Sequence, residues 1–398
     1  MMEGHKTKHG VIYTGDCLDV MKKIPDESVD SIVTDPPAGI SFQNYEWDSD
    51  RGGRDKWISW MREVATECYR ALKPGAHALV WSLPRTSHWT AMAWENAGFR
   101  VRDKISHIYG TGTPKGVYIH KEIKRIYKQS TSKWEGWATG LKPAREDWLL
   151  LRKPISEKSI ARNVVKYGTG AINIDKCRVP LNGEAPPSGS AKRVFYRNAY
   201  CKNSRYGRNM ITPEAGRYPS NVILDGSKDV TSLFPITKSG SNCTRRKPGT
   251  FMKNGGIGKP GDVQITYGDA GSASRVFMHI ARHDDSVVYC PKPTAKERDL
   301  GIRRDDNETS EEKNIHGTVK PIKLIRYLCR LITPPGGIVL DPFIGTGTTA
   351  MSCIYEGLKY IGIEIDAEYS EIAKKRISHA LETIEEETTQ TDIFEDSW

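Results

Sequence analysis

The sequence predicts an α/β protein, with a doubly wound, mostly parallel Rossmann-like sheet that carries a large insertion. Three observations predict it. Apolar runs of strand length alternate with segments of helical period over residues 10–153, and again over 315–381. Residues 29–34 read as a buried strand that stops dead at Asp35-Pro36-Pro37. Ile338-Val339-Leu340-Asp341 reads as a second strand, running through Gly345-Thr346-Gly347 into a helix.

Taken in order, residues 9–16 are a short strand and 17–24 a short amphipathic helix. The central strand follows, with Val29, Ile32 and Val33 as its apolar run. Residues 41–54 have no clear period and carry Phe42, Tyr45 and Trp47, which suits a mobile loop over a site. Residues 55–72 place Trp57, Met61, Val64, Ala65, Cys68 and Leu72 at helical spacing, and Lys73-Pro74-Gly75 closes that helix. A strand (76–83), a helix (86–97) and a strand (99–108) come next. Residues 117–128 form a basic helix, and 147–151 the last strand of the block. From about 154 to 314 the period is weak. It returns with a helix opened by Pro321, a strand (359–365) and a helix (367–381).

The 398 residues allow two or three domains. Boundaries fall near 153, 314 and 381, leaving an acidic tail over 382–398. The net charge is +10, yet the tail holds seven acids and no base, so the rest carries +17. Such a body points to a polyanion, most simply nucleic acid, with a merely basic soluble protein as the alternative. Residues 191–210 interleave Arg193, Arg197, Lys202 and Arg205 with Phe195, Tyr196, Tyr200 and Tyr206, which suits phosphate contact and base stacking. A flexible surface insertion is the competing reading. The eight cysteines form no CxxC pair and indicate neither a metal site nor a disulfide frame; Cys17, Cys68, Cys329 and Cys353 sit in apolar patterns. No signal peptide or long apolar segment is evident, so a soluble cytoplasmic protein without membrane contact is expected, as monomer or homodimer.

Asp-Pro-Pro suits one chemistry well. Pro36 and Pro37 fix two φ angles and hold Asp35 at a strand's carboxyl end, where open α/β sheets bind ligands. The exocyclic amino group of adenine or cytosine is a poor nucleophile, because its lone pair is delocalised into the ring. Asp35 can accept one amino hydrogen and a backbone carbonyl of the Pro-Pro turn the other, drawing the nitrogen toward tetrahedral geometry. A strand-terminating turn with a surface Asp is the plainer alternative.

The second strand carries the layout of a nucleoside-cofactor site. Glycines let a ligand approach the backbone, and the helix beyond offers free donors. Glu364, 19 residues after Gly345, ends the next strand, where an acid can hold ribose hydroxyls. The third glycine of a dinucleotide fingerprint is missing.

At these motifs the chain resembles the amino-group DNA methyltransferases of the beta arrangement, in which Asp-Pro-Pro precedes the cofactor motif. The resemblance rests on Gly15-Asp16-Cys17, Thr34-Asp35-Pro36-Pro37, His316-Gly317-Thr318-Val319-Lys320-Pro321 and Asp341-Pro342-Phe343-Ile344-Gly345-Thr346-Gly347, and covers roughly residues 10–153 and 315–380. Trp134-Glu135-Gly136-Trp137, Leu141-Lys142-Pro143-Ala144 and Gly216-Arg217-Tyr218-Pro219 are similar to phage-type site-specific methylases. The resemblance implies S-adenosylmethionine as cofactor and double-stranded DNA as partner. It implies that Thr318, Lys320, Pro321, Asp341, Phe343, Gly345 and Gly347 border the methionine moiety, that Glu364 holds the ribose and that Asp16 lies near the adenine ring. Residues 154–314 would be the target-recognition insertion.

One departure stands out. The family has an aromatic ring after Asp-Pro-Pro, where this chain has Ala38. That ring stacks on the flipped base, for about 1–3 kcal/mol. Either Phe42, Tyr45 or Trp47 substitutes, or the enzyme is weakened, as replacement of the ring in an otherwise intact motif would leave it. The expectation is transfer of a methyl group to adenine N6, with Asp35, Pro36, Pro37 and Ala38 at the reacting centre. Cytosine N4 methylation and a catalytically silent, cofactor-bound DNA-binding protein are the alternatives. Cytosine carbon-5 methylation needs a Pro-Cys nucleophile, and the chain has only the reverse, Cys290-Pro291.

Overall fold

The computed structural model describes residues 4–110, 116–129, 131–180, 216–238, 243–244, 263–264, 270–280, 293, 295–302 and 313–395. The chain opens on an antiparallel edge pair, β1 (Gly4–Thr7) and β2 (Gly10–Thr14), followed by α1 (Cys17–Met21). β3 (Val29–Thr34) is buried at all six positions. Then come α2 (Arg54–Ala71), β4 (Leu72–Ser82), α3 (Ser87–Asn96), β5 (Arg100–Ile108), α4 (Ile119–Tyr127) and β6 (Arg145–Arg152).

The middle of the chain gives α5 (Ile160–Tyr167), β7 (Val222–Leu224) and α6 (Lys228–Thr231). Two short antiparallel pairs join β8 (Ile236–Lys238) to β11 (Ala270–Ser272) and β9 (Cys243–Thr244) to β10 (Val263–Gln264). β12 (Met278–His279) and α7 (Ala295–Arg298) follow. The last block is α8 (Ile322–Ile332), β13 (Ile338–Asp341), α9 (Thr348–Tyr355), β14 (Lys359–Glu364) and α10 (Ala367–Glu395).

Ten strands make one sheet in the order β1-β2-β14-β13-β3-β4-β6-β5-β7-β12. The two halves of the sequence meet where β13 pairs in parallel with β3, Val339 beside Ser31 and Leu340 beside Ile32. From there one half winds outward through β14 and the other through β4, so β3/β13 is the topological switch point, where such sheets bind ligands. Side chains alternate across the sheet. Val33, Leu79 and Val339 pack with α8 and α9 on one face; Ile32, Val80 and Leu340 pack with α1 and α2 on the other. Each such buried side chain contributes about 1.5–3 kcal/mol.

The sheet is mostly parallel, as expected, with antiparallel pairing at β1–β2 and where β6 meets β4 and β5. Two details of the sequence reading are corrected. Lys73-Pro74-Gly75 does not follow the helix as a loop; α2 passes straight into β4, and a bulge absorbs these residues. Gly75 has φ +79°, and the β3–β4 register jumps from Val29–Leu72 to Ser31–His77. The bulge is fastened from outside, since Asn163 Nδ2 donates to Pro74 O at 2.8 Å and Thr169 Oγ1 to the same oxygen at 2.7 Å. Within residues 154–314, β7 and β12 extend the sheet beyond β5. Finally, α10 continues through Glu395 rather than ending near 381, and Lys8 pairs with Glu385 on it at 2.6 Å. Residues 191–210, with Arg193, Arg197, Lys202 and Arg205, lie outside the described residues. No helix among the described residues is long and apolar enough to cross a membrane.

Asp30 fastens the switch point from the opposite end of β3. Its buried carboxylate accepts from Lys73 Nζ at 2.6 Å and Ile338 N at 2.8 Å. Asp30→Ala strands both donors, so urea unfolding is expected to show a loss of about 1–3 kcal/mol. A loss below about 0.5 kcal/mol would mean that water satisfies them.

Candidate active site

A cavity of about 1210 Å³ opens over the carboxyl ends of the central strands. The strand order divides its wall. Gly15 and Asp16 after β2, Phe343 and Gly345 after β13, and Glu364 at the end of β14 lie to one side of β3. Trp81 and Pro84 at the end of β4, Tyr109 after β5, and Glu146 and Trp148 on β6 lie to the other. Asp35, Pro36, Pro37 and Ala38 stand between.

Asp341 holds the two central loops together. Its Oδ1 accepts from Thr34 Oγ1 at 2.6 Å and from Phe343 N at 3.0 Å, and its Oδ2 accepts from Thr349 Oγ1 at 2.6 Å. Burial pushes this carboxyl up to about 6, while the three donors work against it. Thr34 precedes Asp35, and Phe343 and Thr349 bracket the glycine turn. Although Asp341 reaches the cavity wall, its carboxylate is committed to joining β3 to the β13–α9 turn.

Asp35 is paired. Lys320 Nζ lies 2.5 Å from Asp35 Oδ2 and 4.4 Å from the centre of the Trp81 ring. Burial raises the Asp35 carboxyl above the ordinary range, with Lys320 opposing it. For Lys320 burial acts downward, but the Asp35 and Glu146 carboxylates carry its ammonium above the usual lysine value. The sequence resemblance placed Lys320 beside the methionine moiety; the structure places its charge on Asp35.

The loop after Ala38 is tied down rather than free. Asp48, itself buried, accepts from Gly39 N at 2.9 Å and Phe42 N at 2.8 Å. Gly39 has φ +67°, and a Cβ there would come within 2.5 Å of Trp57. Trp47 stacks on Tyr45 (5.4 Å, 18°) and on His316 (5.7 Å, 15°). Burial, with Lys320 and Arg376 nearby, brings His316 down to about 4, so it stacks as the neutral ring. Phe42 and Trp47 line the cavity beside Ala38.

The glycine turn is held from behind by Arg376 of α10, a fully buried residue that the sequence did not single out. Its Nη1 donates to Thr346 O at 2.6 Å and to the hydroxyls of Thr346 and Thr348 at 3.1 and 3.2 Å. Gly345, at φ +53°, faces the cavity. Gly347, at φ +85°, does not; a Cβ there would meet Ala373 of α10 at 3.1 Å. Pro321 also falls off the wall, serving as the N-cap residue of α8. Thr318 lines the cavity, its amide turned to His316 Nδ1 at 3.3 Å. Asp16 caps α1 through Leu18 N at 2.8 Å, and Gly15 N donates to Glu364 O at 2.8 Å, so the ends of β2 and β14 stay together. Burial pushes Glu364 up to about 7, against the amides of Asp366 and Gly345. Among the described residues no group of three or more His, Cys, Asp and Glu could hold a metal ion.

Fold and cavity define a doubly wound α/β protein in which one cavity extends to both sides of an Asp-Pro-Pro turn. A family model described as DNA methylase matches residues 29–375, and the chain belongs to that family. It is 35% identical over 374 residues to the type II methyltransferase M.BglII of Bacillus subtilis, an alignment covering 92% of this chain and 68% of that protein. It is also 35% identical over 79 residues to M.BamHI of Bacillus amyloliquefaciens, covering 20% of this chain and 19% of the relative. Across the first relatives matched, the chain spans between 19% and 64% of their length. The solved PvuII DNA methyltransferase, described as cytosine-N4-specific, aligns over 93% of this chain and 87% of its own at 14% identity, with a TM-score of 0.47.

Thr34→Val tests the link between the loops. Removing a hydrogen bond to a buried charged group costs about 1.5–3 kcal/mol. The Asp341 carboxyl titrates near 6, so the lost bond matters more when it is ionised. Urea unfolding should therefore show a larger penalty at pH 8 than at pH 5. Equal penalties at both would take the charge on Asp341 out of the link.

Proposed function

We propose that this chain is an S-adenosylmethionine-dependent DNA methyltransferase that acts on adenine N6. The observation that carries the reading is the shared cavity, in which Asp35 and its Pro-Pro turn stand one strand from Gly345 and two from Glu364. A buried carboxyl at the end of β14, an open glycine and the Phe343 ring fit a nucleoside with a ribose diol. Glu364 would accept from the diol, Asp16 would border the adenine ring, and Thr318, Phe343 and Gly345 would border the methionine moiety. Pro321 and Gly347 serve by building α8 and the turn against α10. When bound, the cofactor supplies an electrophilic methyl group.

The chain's own part is to orient the amino nitrogen. The amino group sits in the pairing face of the base, so the base must leave the duplex. Asp35 accepts one amino hydrogen and a carbonyl of the Pro36-Pro37 turn the other, which localises the lone pair. The nitrogen sheds a proton as it gains the methyl group, and a carboxyl raised by burial is suited to hold it. Lys320 keeps Asp35 aimed. By the resemblance stated above, Asp rather than Ser before Pro-Pro is more like the adenine enzymes of the family. On the side of the cavity away from Glu364, Trp81, Pro84 and Tyr109 supply apolar walls for the base. Phe42 and Trp47, both in ring contact with Tyr45, line the cavity with Ala38 and are the candidate stand-ins for the ring absent at 38. The segment with Arg193, Arg197, Lys202 and Arg205 is proposed, on composition, to contact phosphates.

Two expectations test this reading. A ribose-binding Glu364 must be ionised, and its carboxyl titrates near 7. Cofactor affinity measured by calorimetry should weaken as pH falls from 8 to 6, approaching tenfold per unit below 7. Glu364→Gln should bind more weakly and lose that pH dependence; a variant that keeps it would remove Glu364 from the ribose role. Second, Ala38→Tyr should raise the single-turnover rate of labelled methyl transfer to DNA by at least about tenfold, for roughly 1.4 kcal/mol of recovered positioning. Asp35→Ala in that background should abolish transfer while cofactor affinity changes little. An unchanged rate for Ala38→Tyr would mean that Phe42 or Trp47 already holds the base or that no base is held here.

A further inference from the structure

Between β5 and β6 the chain leaves the sheet and returns, and residues 116–129 and 131–144 of this excursion belong to an arm that the chemistry above does not use. The arm is built, not slack. Val117 and Thr139 exchange two bonds (Val117 N to Thr139 Oγ1, 2.9 Å; Thr139 N to Val117 O, 3.1 Å), and Ile119 N donates to Trp137 O at 2.9 Å. Its return is fastened twice more, by Tyr109 N donating to Ala144 O at 3.0 Å and by Lys142 Nζ donating to Gly110 O. Between these fastenings stands Leu141, 92% exposed, with Gly140 before it and Lys142-Pro143 after.

A single exposed leucine is ordinary on a protein surface. This one lines the same cavity as Asp35 and Ala38, and Gly140 and Lys142 line it on either side. Its surroundings are also unlike a plain surface. Residues 116–145 hold seven lysines and arginines against two glutamates, a net +5, and Trp137, Ile126 and Tyr127 are each more than half exposed. Charge of that sign at the mouth of a cavity draws a polyanion to it.

We propose that the arm docks on double-stranded DNA and that Leu141 is the wedge that enters the base stack as the target base leaves for the cavity. The inference rests on the methyltransferase reading and deepens it. Extruding a base costs a few kcal/mol of stacking and pairing and leaves a hole in the duplex. An apolar side chain filling that hole offsets part of the cost, and leucine is among the residues used as such wedges. A wedge must be exposed before DNA binds, stand beside the pocket that takes the base, and be carried on stiff backbone. Leu141 meets all three conditions, and the lysines of α4 supply phosphate contacts alongside.

The test is single-turnover transfer of labelled methyl, with enzyme in excess, to two duplexes carrying the sequence that this chain modifies. In one duplex the target base is paired; in the other it is mispaired, so that its opening is already paid in part. Leu141→Ala should lose at least tenfold on the paired duplex and less than twofold on the mispaired one. Leu141→Met should match the parent on both. Equal losses on the two duplexes, whether from misfolding or from a general contact, would overturn the wedge, as would no loss on either. The parent reports on the underlying reading: transfer by the parent with a failed contrast sinks the wedge alone, and no transfer by the parent to either duplex sinks both.

Discussion

The Asp341 carboxylate is the interaction on which the site depends. β3 and β13 come from opposite ends of the sequence, and parallel pairing alone would fix only their backbones. Thr34, Phe343 and Thr349 all donate to this one side chain. The Asp-Pro-Pro turn and the glycine turn are thereby held in one frame. Positioning two reactants is where a large part of a transfer barrier can be removed. A buried carboxylate is costly unless its lone pairs are satisfied, and here three donors do that work, two of them hydroxyls.

Around that frame the electrostatics are arranged asymmetrically. On the nucleoside side, Glu364 is a carboxyl raised by burial and sensitive to pH near neutrality. On the other side, Lys320 occupies one oxygen of Asp35, and Glu146 adds a second negative field. Asp48 and the Tyr45–Trp47–His316 stack then fasten the loop that follows Ala38. Ala38 therefore stands in a surround that is built without a ring at that position.

Much of this was legible in the sequence because local chemistry determined it. Two prolines can end a strand whatever surrounds them, and a Gly-x-Gly turn gains weight when a strand ending in Asp341 precedes it and Glu364 ends the next strand. What was missed is long-range. Arg376 looks like any helical arginine until α10 is folded against the glycine turn, 30 residues away from Thr346. Asp48 reads as loop polarity until it caps Gly39 and Phe42. Motif membership singled out Lys320 without showing its partner Asp35, and Gly347 without showing that it lies off the cavity wall against Ala373. The antiparallel β6 escaped because alternation of strand and helix implies parallel pairing only where the connection is a helix; here an arm intervenes. The Leu141-Lys142-Pro143-Ala144 motif was visible, but its exposure at the cavity mouth was not.

The central claim is that one cavity brings a methyl donor to the amino nitrogen of an extruded adenine. The most direct measurement is base-resolved sequencing of modified DNA after exposure to the Ala38→Tyr form, compared with DNA exposed to Asp35→Ala in the same background. The expected result is N6-methyladenine confined to one short sequence in the first sample and absent from the second. Modification at cytosine N4 would contradict the adenine assignment, and unmodified DNA in the first sample, or equal modification in both, would contradict the claim itself.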